Sequence, residues 1–265
     1  MMSHQWEALS PQAVAVLVHG LGAHCGRWEF LADFLVKRNI SCYAIELEGF
    51  GETKGLKGHI DTFDSYFADI KALYAIAKNG HPGKKIFLVG ESLGGLLAFL
   101  MAAQDQAPFD GLICISPAFK SRLKFSLLQY VQVFLASIYN PRKQFTVPFD
   151  PAMCTRDRDY QKIMEEDKRE HQLATSRFLM NILLAQISSQ RLKGRLKIPT
   201  LFLIAGCDVI VDSGTSLKIY ESLKVKDKKF IQYPEMSHAL SIDLGREKVF
   251  KDIAQWINGR AITGE

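Results

Sequence analysis

Ser92 stands at the centre of a Gly-x-Ser-x-Gly pattern at residues 90–94, directly after the apolar run at residues 85–89. Glycines two residues before and after a serine allow a sharp strand-to-helix turn, which lets neighbouring chain pass close and pushes the serine Oγ out of the sheet. A helix that starts at Leu93 would direct the N–H of Leu93 toward a developing oxyanion. The pattern therefore predicts a nucleophilic serine at the carboxyl end of a buried strand.

A serine hydroxyl is a poor nucleophile at neutral pH and needs a base within hydrogen-bond reach. His238 follows the last predicted strand, and Asp208 follows the predicted strand before it. The chain order Ser92, Asp208, His238 fits a triad in which Asp208 orients the imidazole and stabilises the imidazolium. Asp212, four residues further on, is the alternative acid; we favour Asp208 because it immediately follows a strand end.

The second oxyanion donor is expected in the glycine-rich loop after the first predicted parallel strand, around residues 19–24. The N–H of Leu21 is the candidate, beside that of Leu93. His19 is expected to bond to the backbone of this loop. A metal site made by His19 and His24 is not expected, because no third ligand lies nearby in the sequence.

Apolar runs bounded by turn residues alternate with segments of helical spacing. This alternation predicts an α/β fold with a mostly parallel central sheet covered by helices on both faces. The predicted strands are Val14–Val18, Ile40–Ile45, Ile86–Val89, Leu112–Ile115, Thr200–Ile204 and Phe230–Gln232. The predicted helices are Trp28–Lys37, Phe63–Lys78, Leu93–Gln104, Ser213–Leu223 and Gly245–Ile257.

The alternation of strands and helices is interrupted by about 80 residues that contain no convincing strand and are mostly helical in pattern. A structureless loop of that length is improbable in a compact domain. We therefore divide the chain into an α/β core at 1–116 and 198–265 and a helical cap, or lid, at 117–197. Within the cap, the apolar stretch Leu123–Tyr139 predicts either a helix packed against the core or a lid over a ligand pocket, with Phe134 as a substrate contact.

The net charge of +5 is concentrated in the cap, since residues 117–197 hold 15 Lys/Arg against 7 Asp/Glu. This excess predicts either a solvated basic face or a surface that meets anionic lipid headgroups. No secretory signal and no membrane-length apolar run are visible, and the five cysteines are widely spaced and odd in number. We expect free thiols in a cytoplasmic protein that can contact a membrane peripherally.

These motifs together resemble the α/β-hydrolase fold, through residues 19–22, the pattern around Ser92, Asp208 and His238. Peripheral motifs are similar to the monoacylglycerol lipase and lysophospholipase branch of that fold. They are Gly26-Arg27-Trp28, Gly58-His59-Ile60-Asp61 and Thr155-Arg156-Asp157. The resemblance covers nearly the whole chain.

The resemblance implies a serine carboxylester hydrolase that forms an acyl-enzyme, has a cap over an acyl tunnel, and uses neither a cofactor nor a metal. The expected substrate is a small-molecule ester, most simply a single-chain lipid ester of the monoacylglycerol or lysophospholipid type. No nucleic-acid partner is expected. A short-chain or aryl carboxylesterase and a slow-turnover ligand receptor with the hydrolase fold are the alternatives.

The chain departs from the family's usual pattern at several positions. Ala23 stands where relatives have glutamate, Glu91 where they commonly have histidine, and Leu93 where they commonly have methionine. Because a buried unpaired carboxylate is costly, we predict that Glu91 pairs with Arg27; a solvated Glu91 is the alternative. The N-terminal β-hairpin usual in the family has only about a dozen residues available here.

Overall fold

A seven-stranded sheet forms the centre of the computed structural model, which describes residues 1–104 and 108–261. The strands are β1 (Met2–Trp6), β2 (Ala13–Val18), β3 (Ile40–Glu46), β4 (Lys85–Glu91), β5 (Gly111–Ile115), β6 (Gln144–Thr146), β7 (Leu173–Thr175), β8 (Thr200–Ala205) and β9 (Lys228–Tyr233). In the sheet they follow the order β1-β3-β2-β4-β5-β8-β9, while β6 and β7 form a separate antiparallel pair.

The sheet is parallel from β3 to β9, and β1 pairs antiparallel with β3 at one edge. The predicted α/β fold with a mostly parallel sheet is therefore confirmed, and each of the six predicted strands lies within two residues of its expected bounds. β1 was not predicted. Its sequence, Met-Ser-His-Gln-Trp, is mostly polar and exposed, so the strand forms through backbone pairing with β3 and leaves no apolar run to recognise.

Helices cover both faces of the sheet. Their bounds are α1 (Glu29–Val36), α2 (Asp64–Gly80), α3 (Leu93–Ala102), α4 (Leu127–Tyr139), α5 (Pro151–Cys154), α6 (Arg158–Glu166), α7 (Ser176–Leu192), α8 (Ser213–Ser222) and α9 (Arg246–Ala261). Alternate residues of β2 enter different cores: Val14 and Val16 pack with α2, α3 and α8, while Ala15 and Leu17 pack with α1 and α9. Burial on both faces explains why the strands are apolar throughout.

The segment at residues 117–197 leaves the sheet after β5 and returns at β8, and it contains α4 to α7. It also contains the short β6–β7 pair, which the expectation of a strand-free segment missed. Each of these strands has only three residues, with Gln144 opposite Thr175 and Thr146 opposite Leu173, so neither produces a recognisable periodic run. α4 packs against α7, and α7 packs against α3 in the core.

The apolar helix α4 is mostly exposed rather than packed against the core. Only Ala136 and Ser137 are buried in it, and Phe134 is 56% exposed. Its other exposed large apolar side chains are Leu127, Leu128, Tyr130, Val131, Leu135, Ile138 and Tyr139. The expectation of a core-packed helix is therefore wrong for this stretch. Among the described residues, no helix combines the length and apolar character needed to cross a bilayer.

Candidate active site

Ser92 lies in the sharp turn between β4 and α3, with φ of 57° and ψ of −118°. A positive φ is unusual for a serine and marks a strained position. The flanking glycines are required by close approach. A Cβ at Gly94 would lie 2.0 Å from the carbonyl oxygen of Val18, and one at Gly90 would lie 2.2 Å from the carbonyl oxygen of Gly94. Any side chain at either position would force this turn apart.

Three sequence-predicted residues meet at this turn. The Ser92 hydroxyl donates to His238 Nε2 over 2.9 Å, and His238 Nδ1–H donates to Asp208 Oδ2 over 2.7 Å. Asp208 is buried, and its other oxygen accepts the N–H groups of Ile210 and Val211 at 2.9 Å each. The carboxylate is thus held in place, and it fixes the tautomer that leaves Nε2 free to accept a proton.

Asp212, the alternative acid, lies elsewhere. Its side chain caps α8 by accepting the N–H of Thr215 at 3.1 Å, and it lies 3.4 Å from Lys120 Nζ. Partial burial opposes ionisation of Asp212, but the N–H of Thr215 and the Lys120 ammonium outweigh it and lower the pKa of Asp212. Among the hydrogen bonds of the described residues, the carboxylate that reaches His238 is that of Asp208.

The loop after β2 lies against Ser92. A Cβ at Gly20 would come within 3.1 Å of Ser92 Cβ, and both Leu21 and Leu93 line the cavity above Ser92. Within the described part of the chain, neither the N–H of Leu21 nor that of Leu93 donates a hydrogen bond. Two unpaired donors beside a serine Oγ form an arrangement that can accept a developing oxyanion.

His19 holds this loop in shape. Its Nδ1–H donates to the Gly20 carbonyl at 2.8 Å, while its Nε2 accepts the N–H of Leu47 at 3.0 Å. Burial lowers the pKa of His19 to about 4, so the imidazole is neutral at physiological pH. His19 therefore makes the backbone bonds expected of it.

The predicted pairing of Glu91 with Arg27 is wrong. The guanidinium of Arg27 donates twice to Glu170, at 2.6 Å each. Glu91 instead accepts from Ser241, through the backbone N–H at 3.0 Å and the hydroxyl at 2.7 Å. The partner of Arg27 is the largely buried carboxylate of Glu170, in the segment before β7. The spacing of residues in the sequence does not indicate this pair.

A cavity of about 410 Å³ opens above Ser92 and His238. Most of its wall is apolar and comes from residues 117–197, including Phe125, Phe134 and Leu179. The predicted contact residue Phe134 thus lines the cavity while remaining half exposed. An apolar pocket with a few polar groups at its base can hold an acyl chain with its reacting carbonyl at the serine.

Sequence reasoning missed Glu170, Ser241 and Asp243. Asp243 is buried and accepts the N–H of Ser237, the residue before His238, at 2.8 Å. Ser241 and Asp243 lie within five residues of His238, so polar residues in that loop were a usable signal. Glu170 had none, because its partner Arg27 is 143 residues away.

Comparison with known proteins gives matches along nearly the whole chain. The profile of the family described as "Serine aminopeptidase, S33" matches residues 9–245. Monoglyceride lipase of Rattus norvegicus is 26% identical over 265 residues, covering 96% of this chain and 86% of that protein. Phospholipase YtpA of Bacillus subtilis is 26% identical over 249 residues, covering 93% of this chain and 95% of that protein.

A solved structure gives the same picture. The crystal structure of Paleococcus ferrophilus monoacylglycerol lipase superposes with a TM-score of 0.88 at 26% identity, covering 98% of this chain and 100% of that one. The chain is thus similar in fold and sequence to proteins named as lipases and a phospholipase.

Proposed function

The chain belongs to the α/β-hydrolase family described as serine aminopeptidase, S33, and from that premise we propose that it is a serine hydrolase of single-chain lipid esters. Its relatives include lipases and a phospholipase, so the broader class is that of lipase and esterase hydrolases. The observation that carries the proposal is the hydrogen-bonded series of Ser92, His238 and Asp208 at the base of an apolar cavity.

In the proposed reaction, Ser92 Oγ attacks the ester carbonyl while His238 Nε2 takes its proton. The N–H groups of Leu21 and Leu93 stabilise the tetrahedral anion. His238 then returns the proton to the leaving alcohol, which gives an acyl-enzyme. A water molecule activated by His238 releases the fatty acid and restores Ser92. No step of this sequence uses a cofactor or a metal.

The preference for a single-chain lipid is supported by the cavity. Its apolar wall suits an acyl chain, and each methylene buried there contributes about 0.8 kcal/mol. Residues 117–197 act as the cap in this proposal, because they supply most of the wall. Monoacylglycerols and lysophospholipids, each with one chain and one ester, are the proposed substrates.

The proposal includes peripheral contact with a membrane through α4. The exposed apolar side chains of α4 form a patch of the kind that marks an interaction surface. Exposed cations flank it, with Lys124 before the helix and Arg142 and Lys143 after it. Arg122 is held differently, since it donates to the carbonyl of Asp208 at 2.9 Å. An apolar face with a cationic rim suits a lipid surface with anionic headgroups. The five free thiols support a reducing compartment such as the cytoplasm.

The test is a hydrolysis profile over p-nitrophenyl esters from two to sixteen carbons, followed by monoacylglycerols and lysophospholipids. Steady turnover that rises with chain length and extends to the natural lipids is the expected result. Turnover confined to the shortest or aryl esters would replace the lipid substrate with a small ester. One slow burst per molecule would replace the enzyme with a ligand receptor.

A further inference from the structure

Glu91 is a carboxylate that the proposed reaction does not use, although it lies beside the nucleophile. The residue is 5% exposed, and both of its oxygens accept from one residue, Ser241. The backbone N–H of Ser241 donates to Oε1 at 3.0 Å, and its hydroxyl donates to Oε2 at 2.7 Å. Two bonds to two atoms of one residue fix its orientation as well as its position.

Ser241 belongs to the loop that carries His238. Alternate N–H groups of this loop donate hydrogen bonds to three different parts of the chain. The N–H of Ser237 donates to Asp243, which closes the loop on itself. The N–H of Ala239 donates to the carbonyl of Cys154 in α5 at 2.9 Å, which ties the loop to residues 117–197. The N–H of Ser241 ties it to β4, the strand that ends at the nucleophile.

We propose that Glu91 is a positioning residue, which acts through Ser241 to hold the loop of His238 at the correct distance from Ser92. The inference rests on the proposed function, since it assigns Glu91 to the same reaction. The connection is short on both sides: Glu91 immediately precedes Ser92, and Ser241 follows His238 by three residues. Catalytic groups need placement within about 0.5 Å, and bonds of this kind supply it.

The energetics of the site favour a geometric role. A buried carboxylate loses hydration and is costly unless hydrogen bonds replace it. Burial raises the pKa of Glu91, while the bonds from Ser241 and the charges of His238 and Arg27 oppose that rise. An apolar side chain of similar length would fill the same space without this cost. The contribution that only Glu91 makes is therefore the pair of hydrogen bonds to the loop that carries His238.

The experiment compares Glu91→Leu, Glu91→Gln and Ser241→Ala with the wild-type chain, using p-nitrophenyl butyrate turnover and the melting temperature. Ile257→Val, a mild change in the buried face of α9, is the matched control for a general loss of stability. Glu91→Leu is expected to lower kcat by about 10²-fold with KM changed less than twofold, because small misplacements of catalytic groups have effects of that size. Its melting temperature should fall no further below that of wild type than the melting temperature of Ile257→Val does.

Two further variants test whether the loss of kcat comes from the hydrogen bonds between Glu91 and Ser241. Ser241→Ala keeps the N–H bond and should lower kcat by only about tenfold. Glu91→Gln can accept the N–H and donate to the Ser241 hydroxyl, so it should recover kcat to within about threefold of wild type. The double variant Glu91→Leu/Ser241→Ala should be no slower than Glu91→Leu alone. Unchanged kcat in Glu91→Leu, or additive losses in the double variant, would overturn the assignment.

Labelling of Ser92 by a fluorophosphonate separates this inference from the proposed function. Labelling reports the reactivity of the serine without requiring turnover of a lipid ester. If wild type is labelled but hydrolyses none of the esters, the proposed function fails, and slower labelling of Glu91→Leu still supports the positioning role. Equal labelling rates in the two proteins would refute it. Absence of labelling in wild type would refute both.

Discussion

Arg27 and Glu170 are joined by two hydrogen bonds of 2.6 Å, although 143 residues separate them in the chain. Arg27 follows the glycine-rich loop after β2, and Glu170 lies just before β7. Both side chains are largely buried. Arg27 lines the same cavity as Ser92, so the pair joins residues 117–197 to the wall of the candidate site and bears on its shape as well as on stability.

Removing one member of this pair should be far more damaging than removing both. Glu170→Leu leaves the Arg27 guanidinium buried without a counter-charge and should cost about 3–5 kcal/mol of unfolding free energy. The double variant Arg27→Leu/Glu170→Leu should recover most of that loss. Urea unfolding measures all three proteins, with Asp159→Ala in an exposed pair as the control, expected to cost at most about 1 kcal/mol. A single-variant cost below that of the control contradicts the prediction.

Asp208 and Asp212 should differ sharply in their effect on turnover. Asp208→Asn removes the carboxylate that orients His238 and should lower kcat by about 10⁴-fold. Asp212→Asn keeps a good N-cap for α8 and should leave kcat within about twofold of wild type. Steady-state turnover of p-nitrophenyl butyrate provides the comparison, and Ser92→Ala sets the floor, at a loss of about 10⁴ to 10⁶. Similar losses in the two asparagine variants would count against the assignment.

Phe134 should discriminate between long and short acyl chains. It lines the cavity, so Phe134→Gln should lower kcat/KM for a ten-carbon ester by about tenfold through lost apolar contact. The two-carbon ester does not reach that wall and should be unaffected. Leu128→Gln is the matched control on the same helix, because Leu128 is exposed and lies outside the cavity lining. Equal losses for both esters would show that Phe134 only supports the helix.

The rim of α4 should govern binding to anionic membranes. Replacing Lys124, Arg142 and Lys143 with glutamine should weaken binding by up to about 100-fold, at about 1 kcal/mol for each cation that faces the bilayer. Sedimentation with vesicles of mixed phosphatidylserine and phosphatidylcholine measures this, and added salt should weaken wild-type binding. The control replaces three exposed lysines away from α4, namely Lys218, Lys224 and Lys229. Binding that depends neither on salt nor on anionic lipid would mean that these cations face solvent and do not contact the membrane.

Acid should destabilise the fold through histidines that burial keeps neutral. Burial lowers the pKa of His19 to about 4 and also lowers the pKa values of His24 and His171. Between these values and the unfolded-state pKa near 6.5, the unfolded chain binds more protons. The stabilisation is thus complete above about pH 6.5 and is lost as the pH falls toward 4.

Unfolding free energies at pH 7.5 and pH 4.5 provide the measurement. In His19→Gln the difference between the two should be smaller than in wild type by about 2 to 3 kcal/mol. His4→Gln changes an exposed histidine and should leave the difference unaltered. The same pH dependence in all three proteins would show that His19 titrates normally.

The features that were predictable from sequence are those encoded locally. The strand that ends at residue 91 is an apolar run followed by a glycine-bounded turn, and both signals lie within a dozen residues. The meeting of Ser92, Asp208 and His238 follows from one topological rule, since each residue comes after a parallel strand and such strands end at one edge.

What could not be predicted depends on contacts between distant segments. The partner of Arg27 lies in residues 117–197, where no periodic pattern indicates which residue returns to the core. The exposure of α4 was also not predictable, because the sequence pattern of an apolar helix is the same whether the helix faces a core or solvent. β1 was missed because its backbone pairs with β3 while four of its five residues are exposed, so it carries no apolar run.

The backbone of Ser92 bears on how the proposed activity would persist through evolution. A non-glycine residue at positive φ costs on the order of 1–3 kcal/mol, against a net stability of about 5–15 kcal/mol for a typical domain. A glycine at position 92 would relieve that strain and remove the hydroxyl in one step. Loss of the Ser92 hydroxyl therefore favours the stability of the fold, and selection acting on folding alone would not retain the serine. A serine at position 92 is therefore retained only if selection acts on the function of its hydroxyl.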